Sequence, residues 1–229
     1  MRKELAIFVV LLMIFVLGHV FLDNEGNHSA HEPYEESRSP ATQTTPKAPS
    51  VNQVLIKLGS YTSICWEVNG TSLSVLGIQA KRIRGCLNHS NGSAVYWIED
   101  VNGRRFPYRV NSTMDEIEWS IVTHTVWPEL NIVNFLWWVL ENGNVTSVER
   151  IGNHYELHAS LEYEEESNAG TIEDPYFVKI FERWNVTLIL DENGEPIGGH
   201  FVGRARGNPN VVGANWFEEG DFTILGEWK

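Results

Sequence analysis

His154 and His158 lie four residues apart with Glu156 between them, residue types that ligate metal ions. The segment around them alternates apolar and polar residues as a strand does. In a strand, positions i and i+4 are about 13 Å apart, too far for both imidazoles to share one ion comfortably. A solvated strand face is the better reading. Glu162, Glu164, Glu165 and Glu166 form an acidic run that could attract Ca²⁺ loosely, but it lacks the alternating oxygen ligands of a dedicated loop. Carboxylates are plentiful, yet sequence alone pairs no two of them across a cleft for acid–base work. The chain contains no G-x-S-x-G, no H-E-x-x-H and no phosphate-binding glycine loop, and no motif in it implies a cofactor or a metal. Lys81, Arg82 and Arg84 make a small basic cluster that reads as a counter to local acid. No catalytic signature emerges, and the chain reads as a protein that is not an enzyme.

The modification chemistry is richer. Asn-x-Ser/Thr sequons occur at Asn27, Asn69, Asn88, Asn91, Asn111, Asn144 and Asn185, none with Pro in the middle. With 19 Asn and 27 Ser and Thr in 229 residues, chance supplies roughly two such triplets. Asn69 and Asn91 taken singly could be no more than Asn-Gly turns; the whole set is an excess that points to export and glycosylation on exposed backbone. Cys65 and Cys86 are the only cysteines. In an oxidising compartment an isolated pair is expected to form a disulfide, here worth about 3 kcal/mol by the chain-entropy estimate.

The N-terminus agrees with export. Met1-Arg2-Lys3-Glu4 precedes an almost unbroken apolar run from Leu5 to Leu22. Those residues would make about 27 Å of helix, close to the hydrocarbon thickness of a bilayer. Basic residues before the run and acidic or neutral ones after it place the remainder outside the cytoplasm. A cleaved signal peptide competes with an uncleaved anchor, although Leu17 to Leu22 offers no A-x-A pattern. Residues 1–22 are thus expected to be a signal-anchor that partners the membrane through residues 5–22. Residues 23–49, rich in Ser, Thr, Pro, His and Glu, are expected to be a disordered stalk, and residues 50–229 an extracytoplasmic domain. The formal charge is −13, and from Val51 onward 13 Lys and Arg face 24 Asp and Glu, a balance that argues against nucleic acid as a partner.

Nine Trp, seven Tyr and ten Phe favour β-structure with large buried rings. Ser50-Val51-Asn52-Gln53 has the form of a capping box, which predicts a helix over Val51 to Leu58 stopped by Gly59. Strands are expected at Tyr61 to Val68, Ala94 to Glu99, Phe106 to Val110 and Ile117 to Val126; Ser72 to Arg84 fits neither period. Pro128 to Asn142 reads as a second helix with an unusually wide apolar face. Trp138 falls within its polar arc, where it could cap a cavity, touch a partner or lie against a strand; Trp137 reads as core packing. Beyond it, His154 to Tyr163 and Ile180 to Leu190 alternate cleanly, Asp191-Glu192-Asn193-Gly194 is a hairpin turn into Pro196 to Arg206, and Asp221 to Leu225 closes the chain. Two helices with a meandering antiparallel sheet make an α+β domain.

The stretch Val148-Glu149-Arg150-Ile151-Gly152-Asn153-His154-Tyr155-Glu156-Leu157 carries a resemblance. So does Asn185-Val186-Thr187-Leu188-Ile189-Leu190-Asp191-Glu192-Asn193-Gly194-Glu195-Pro196-Ile197, a strand, an acidic turn and a return strand. With the element order, they resemble the LolA/LppX-type lipoprotein-carrier fold. The chain lacks the lipid-attached Cys common among exported members. The resemblance implies a curved antiparallel sheet, a half-barrel, with one or two helices on its concave face. It also implies noncatalytic binding of an apolar ligand such as lipid, with Phe135, Trp137, Trp138, Leu140 and Trp184 as candidate cavity residues. A structural or adhesive surface glycoprotein with a filled core is the alternative, and an extracellular enzyme has no positive feature behind it.

Overall fold

The computed structural model describes residues 48–75, 78–168, 177–207 and 216–228. The apolar run at 5–22, the segment 23–47 and the Asn27 sequon lie outside them. Residues from Ala48 onward form a compact unit of their own. Among the described residues no helix is long and apolar enough to cross a membrane.

The unit is α+β and mostly sheet. In chain order it contains α1 (Val51–Ser60), β1 (Ser63–Val75), β2 (Ile78–Asn88), β3 (Ser93–Asp100), β4 (Arg105–Asn111), α2 (Glu116–His124), α3 (Ile132–Asn142), β5 (Asn144–Ile151), β6 (His154–Asn168), β7 (Phe177–Leu190), β8 (Pro196–Gly207) and β9 (Trp216–Gly226). The nine strands form one antiparallel sheet in the order β4-β3-β2-β1-β9-β8-β7-β6-β5. Two meanders therefore meet where β1 pairs with β9, and the sheet stays open, with β4 and β5 as its edges. The chain crosses from one edge to the other through α2 and α3. These pack with α1 on one face: α3 against α1 and β6, α1 against β8, α2 against β3 and β4.

One register row explains why that face is the core. Val148, Leu157, Leu188, Gly199, Phe222, Val68, Ile83, Ile98 and Phe106 stand opposite one another across all nine strands. All point to one side because strand side chains alternate. Polar residues hold the other face: Ser147, His158, Thr187, His200, Asp221, Asn69, Arg82 and Glu99 form the corresponding outer row.

Several sequence expectations need correction. Ile117 to Val126 is largely helix α2 rather than strand. Its β-branched residues suit a strand, but tertiary contacts override propensity. Glu116 and Glu118 complement the helix N-terminus. Asn131 and Asn134 donate their side-chain amides to the carbonyls of Val122 and Thr123 at its other end. The second helix begins at Ile132, not Pro128. Residues 128–130 form a turn whose carbonyls face the sheet: Trp66 Nε1 donates to Glu129 O (3.3 Å) and Tyr96 Oη to Leu130 O (2.9 Å). Asn131 then caps the helix by accepting from Asn134 N. Helix α1 has the expected capping box but runs past Gly59 to Ser60. Gly59 instead admits the Trp137 ring, whose Cζ3 would lie 2.9 Å from an added Cβ. The edge strand β5 was not foreseen; a register shift between Val145 and Ser147 interrupts its alternation. Similar shifts at Asn69/Leu73 and Ala80/Arg82 account for the unreadable stretch from Ser72 to Arg84, whose described residues are the end of β1 and most of β2.

Cys65 and Cys86 are bonded, as expected, and face each other directly in the β1–β2 register. Replacing both with Ala is expected to lower unfolding free energy by about 3 kcal/mol. Denaturant titration of the variant beside the wild type measures it.

The turn carboxylates give an acid limit. Burial pushes Asp191 up, but the amide N–H groups of Glu195 and Asn193, each 2.8 Å from Oδ1, with help from the Asn193 side chain, outweigh it. Burial likewise raises Asp100, and the Arg104 amide and guanidinium with the Asn102 amide outweigh that. Both carboxyls end below their ordinary value of 3.8. Their contribution is therefore complete above pH 3.8 and is lost as pH falls through the lower folded-state values. Thermal melts below pH 4 should decline less steeply in Asp100→Asn/Asp191→Asn than in wild type.

Candidate functional site

The five candidate cavity residues fall into two groups. Phe135 and Leu140 of α3 and Trp184 of β7 are buried in the core. Phe135 meets Trp184 edge to face at 4.9 Å between ring centroids and Phe201 at 5.7 Å, so these rings fill the space between helix and sheet with one another. Trp137 and Trp138 are half-buried. Trp137 packs over Gly59 of α1 and donates Nε1 to Glu141 Oε2 at 2.7 Å. Trp138 lies edge-on against Tyr163 of β6 at 5.8 Å. Of the three alternatives for Trp138, contact with a strand is the one its ring makes.

Sequence reasoning missed the partners of these rings. Tyr163, Glu182, Ala205 and Trp216 form one inner-face row across β6, β7, β8 and β9, beyond which the positions of Glu165, Ile180 and Gly207 continue the face on β6 to β8. Trp216 contacts Trp184 at 5.2 Å and Trp127 at 5.5 Å. A continuous series of rings thus runs from half-buried Trp127 and Trp216 through Trp184 to buried Phe135 and Phe201. Trp138 and Tyr163 stand on the far side of the row, about three strand spacings or 14 Å from Trp216. Between these aromatic posts lie small Ala205 and half-buried Glu182, whose Oε2 accepts from Trp184 Nε1 at 3.2 Å. Glu218 and Glu129 are also buried on this side. The arrangement is an aromatic rim around a narrow polar floor. It can hold apolar surface, and it brings no nucleophile and base together.

The other chemistry-bearing residues lie on the outer face. Glu156 sits between His154 (3.5 Å) and His158 (3.7 Å), and His158 Nδ1 is 3.0 Å from Thr187 Oγ1. Among the described residues no group of three or more His, Cys, Asp or Glu is arranged to hold a metal ion. The acidic run is ion-paired, Glu162 with Arg183 and both Glu164 and Glu166 with Lys179. Lys81 pairs with Glu99, Arg82 with Glu67, and the Arg84 guanidinium sits over the Trp97 ring.

The sequons separate by environment. Asn88 and Asn111 flank Ser93 in one register row, and Asn91 is in the hairpin above it, so three gather at one corner. Asn144 and Asn185 are exposed on the outer face. Asn69 is half-buried in mid-strand with both amide atoms engaged: Oδ1 accepts from Arg82 Nε (2.8 Å) and Nδ2 donates to Glu67 (3.1 Å). Asn69→Gln should therefore cost about 1 kcal/mol in denaturant unfolding of unglycosylated protein, whereas Asn185→Gln should cost close to nothing.

No protein-family model matches this chain, and no curated protein matches it either.

Proposed function

We propose that this protein is a membrane-anchored, extracytoplasmic glycoprotein that binds an apolar ligand such as lipid without catalysis. The ligand lies along the aromatic rim between α3 and strands β6 to β9. One observation carries the reading. The half-buried pairs Trp138–Tyr163 and Trp127–Trp216 bracket a floor of small and polar side chains on the helix-bearing face of an open sheet. Ligand sites are concave and largely aromatic with a few placed polar groups, and rings left half-exposed supply apolar area that a ligand can cover. The apolar run at residues 5–22 supports the anchor and the sequons support the exported, glycosylated state.

The test is titration of the 48–229 unit with a fluorescent acyl-chain probe. Saturable binding is expected, with Trp138→Ala and Trp216→Ala each weakening it at least tenfold, about 1.4 kcal/mol. Binding that both variants leave unchanged would place the ligand elsewhere.

A second reading is a structural or adhesive surface glycoprotein. It is favoured by the interlocked rings of Phe135, Trp184 and Phe201 beneath α3, which leave the helix resting on a filled core. Absence of any saturable probe binding would favour it.

A further inference from the structure

The outer face of β6, β7 and β8 carries a feature that the aromatic rim does not use. Two adjacent register rows stand there: Glu164, Phe181 and Arg206, then Glu162, Arg183, Arg204 and Phe217. All but Phe217 border an open cleft of about 600 Å³, which Tyr163 and Glu182 also line; its volume is within the roughly 300–1,000 Å³ usual for small-ligand sites. A domain so rich in acid nevertheless places three arginines in these two rows.

The charges do not cancel. Arg183 is paired with Glu162, and Lys179 holds Glu164 and Glu166. Arg204 has its guanidinium 5.3 Å from the centroid of the Phe217 ring, which orients it without neutralising it. Arg206 has no ion pair or hydrogen bond with any described residue, and exposed Phe181 (48 %) is its direct cross-strand neighbour. Arg204 and Arg206 alternate on one strand, about 7 Å apart, each with an aromatic ring beside it.

We propose that this cleft binds a sugar bearing a single carboxylate, a uronate residue of an acidic saccharide. The uncompensated guanidiniums fork onto the carboxylate in the planar, paired geometry that arginine favours. Phe181 presents a flat apolar face to the C–H side of the pyranose ring. Glu162 and Glu164, already held by cations, have spare lone pairs to accept sugar hydroxyls. Those carboxylates also disfavour phosphate and other multiply charged anions, because like charges so close repel. An acyl chain would find too little buried apolar wall in so open a cleft. The arginines and Phe181 stand on the opposite face of the sheet from the apolar rim, while Tyr163 and Glu182 border both.

The test is saturation-transfer NMR on the full-length chain in lipid nanodiscs, with a galacturonate trisaccharide as probe and maltotriose as neutral control. Transfer to the ring C–H protons of the galacturonate is expected, with at least fivefold less to maltotriose. Arg206→Gln and Phe181→Ala are each expected to reduce it at least fivefold, while Arg150→Gln on β5 leaves it unchanged. Both test positions are exposed, so folding should survive, and a thermal melt of each variant checks it. A glycan on Asn185 would stand only one row from Arg183, so Asn185→Gln is measured in parallel and should bind as well or better. Equal transfer to maltotriose, competition by inorganic phosphate as strong as by free galacturonate, or full binding in both Arg206→Gln and Phe181→Ala would overturn the assignment.

Discussion

Phe135→Ala should lower the unfolding free energy of the domain by about 3–5 kcal/mol, a large part of the roughly 5–15 kcal/mol that holds most domains folded. Phe135 of α3 has no exposed surface and sits between helix and sheet, against Trp184 of β7 and Phe201 of β8. Truncation removes the transfer free energy of the ring and leaves a cavity. Trp184 and Phe201 are also packed against each other at 6.1 Å, so neither can swing to fill it. Urea denaturation should show a lower midpoint with an unchanged slope. A loss below about 1 kcal/mol would mean that the neighbours collapse into the space, and the core beneath α3 would then be looser than the ring contacts indicate.

The second large effect comes from adding one methyl group. At Gly203 an added Cβ would lie 2.4 Å from Cζ3 of Trp184, and at Gly85 it would lie 2.4 Å from Cζ2 of Trp66. Each tryptophan spreads its indole across the neighbouring strand where a glycine leaves the backbone bare, since Trp184 pairs with Gly203 and Trp66 with Gly85. Neither ring can retreat, because both are buried against further aromatics, Tyr96 for Trp66 and Phe135 for Trp184. Gly203→Ala and Gly85→Ala should each cost about 3 kcal/mol, the upper end for overpacking a full core. Pairing Gly203→Ala with Trp184→Leu should recover part of the loss, and a double-mutant cycle reads the coupling directly. Additive losses would show that the methyl clash is not with the indole.

Legibility in the sequence followed the regularity of the pairing. β6 and β7 pair without a single shift from Tyr155/Leu190 to Asn168/Phe177, and there the alternation of Tyr155, Leu157, Ala159 and Leu161 matches the buried face residue by residue. Asp191 to Gly194 was readable as a turn because its chemistry is local: Asp191 Oδ1 accepts two backbone amides and Gly194 takes a positive φ. Helix α2 was not readable, because the acceptors at its end are bonded by Asn131 and Asn134 from the next helix, a relation that no window of sequence contains. The start of α3 was misplaced for a similar reason. Pro128 and Glu129 suit a first turn, but Trp66 and Tyr96 from distant strands hold the carbonyls of Glu129 and Leu130.

The same distinction divides the candidate rim. Phe135 and Trp184 were both candidate cavity residues, and the fold places them in contact. Trp138 was anomalous in its helix, but its partner Tyr163 could be named only once β6 was placed beside α3. Trp127 and Trp216 went unnoticed, since each lies outside the expected periodic segments and only the fold brings the two rings together. The outer arginine rows were invisible for the same reason: Arg183, Arg204 and Arg206 become neighbours only through the β7–β8 ladder.

Native mass spectrometry of residues 48–229, expressed in the protein's own host and purified without detergent, tests the apolar-ligand reading most directly. Discrete extra mass that disappears on organic extraction, with lipid recovered in the extract and lost in Trp138→Ala, is the expected result. Protein carrying glycan mass alone, with nothing extractable, would contradict it and leave a surface glycoprotein whose aromatic rings only hold its fold together.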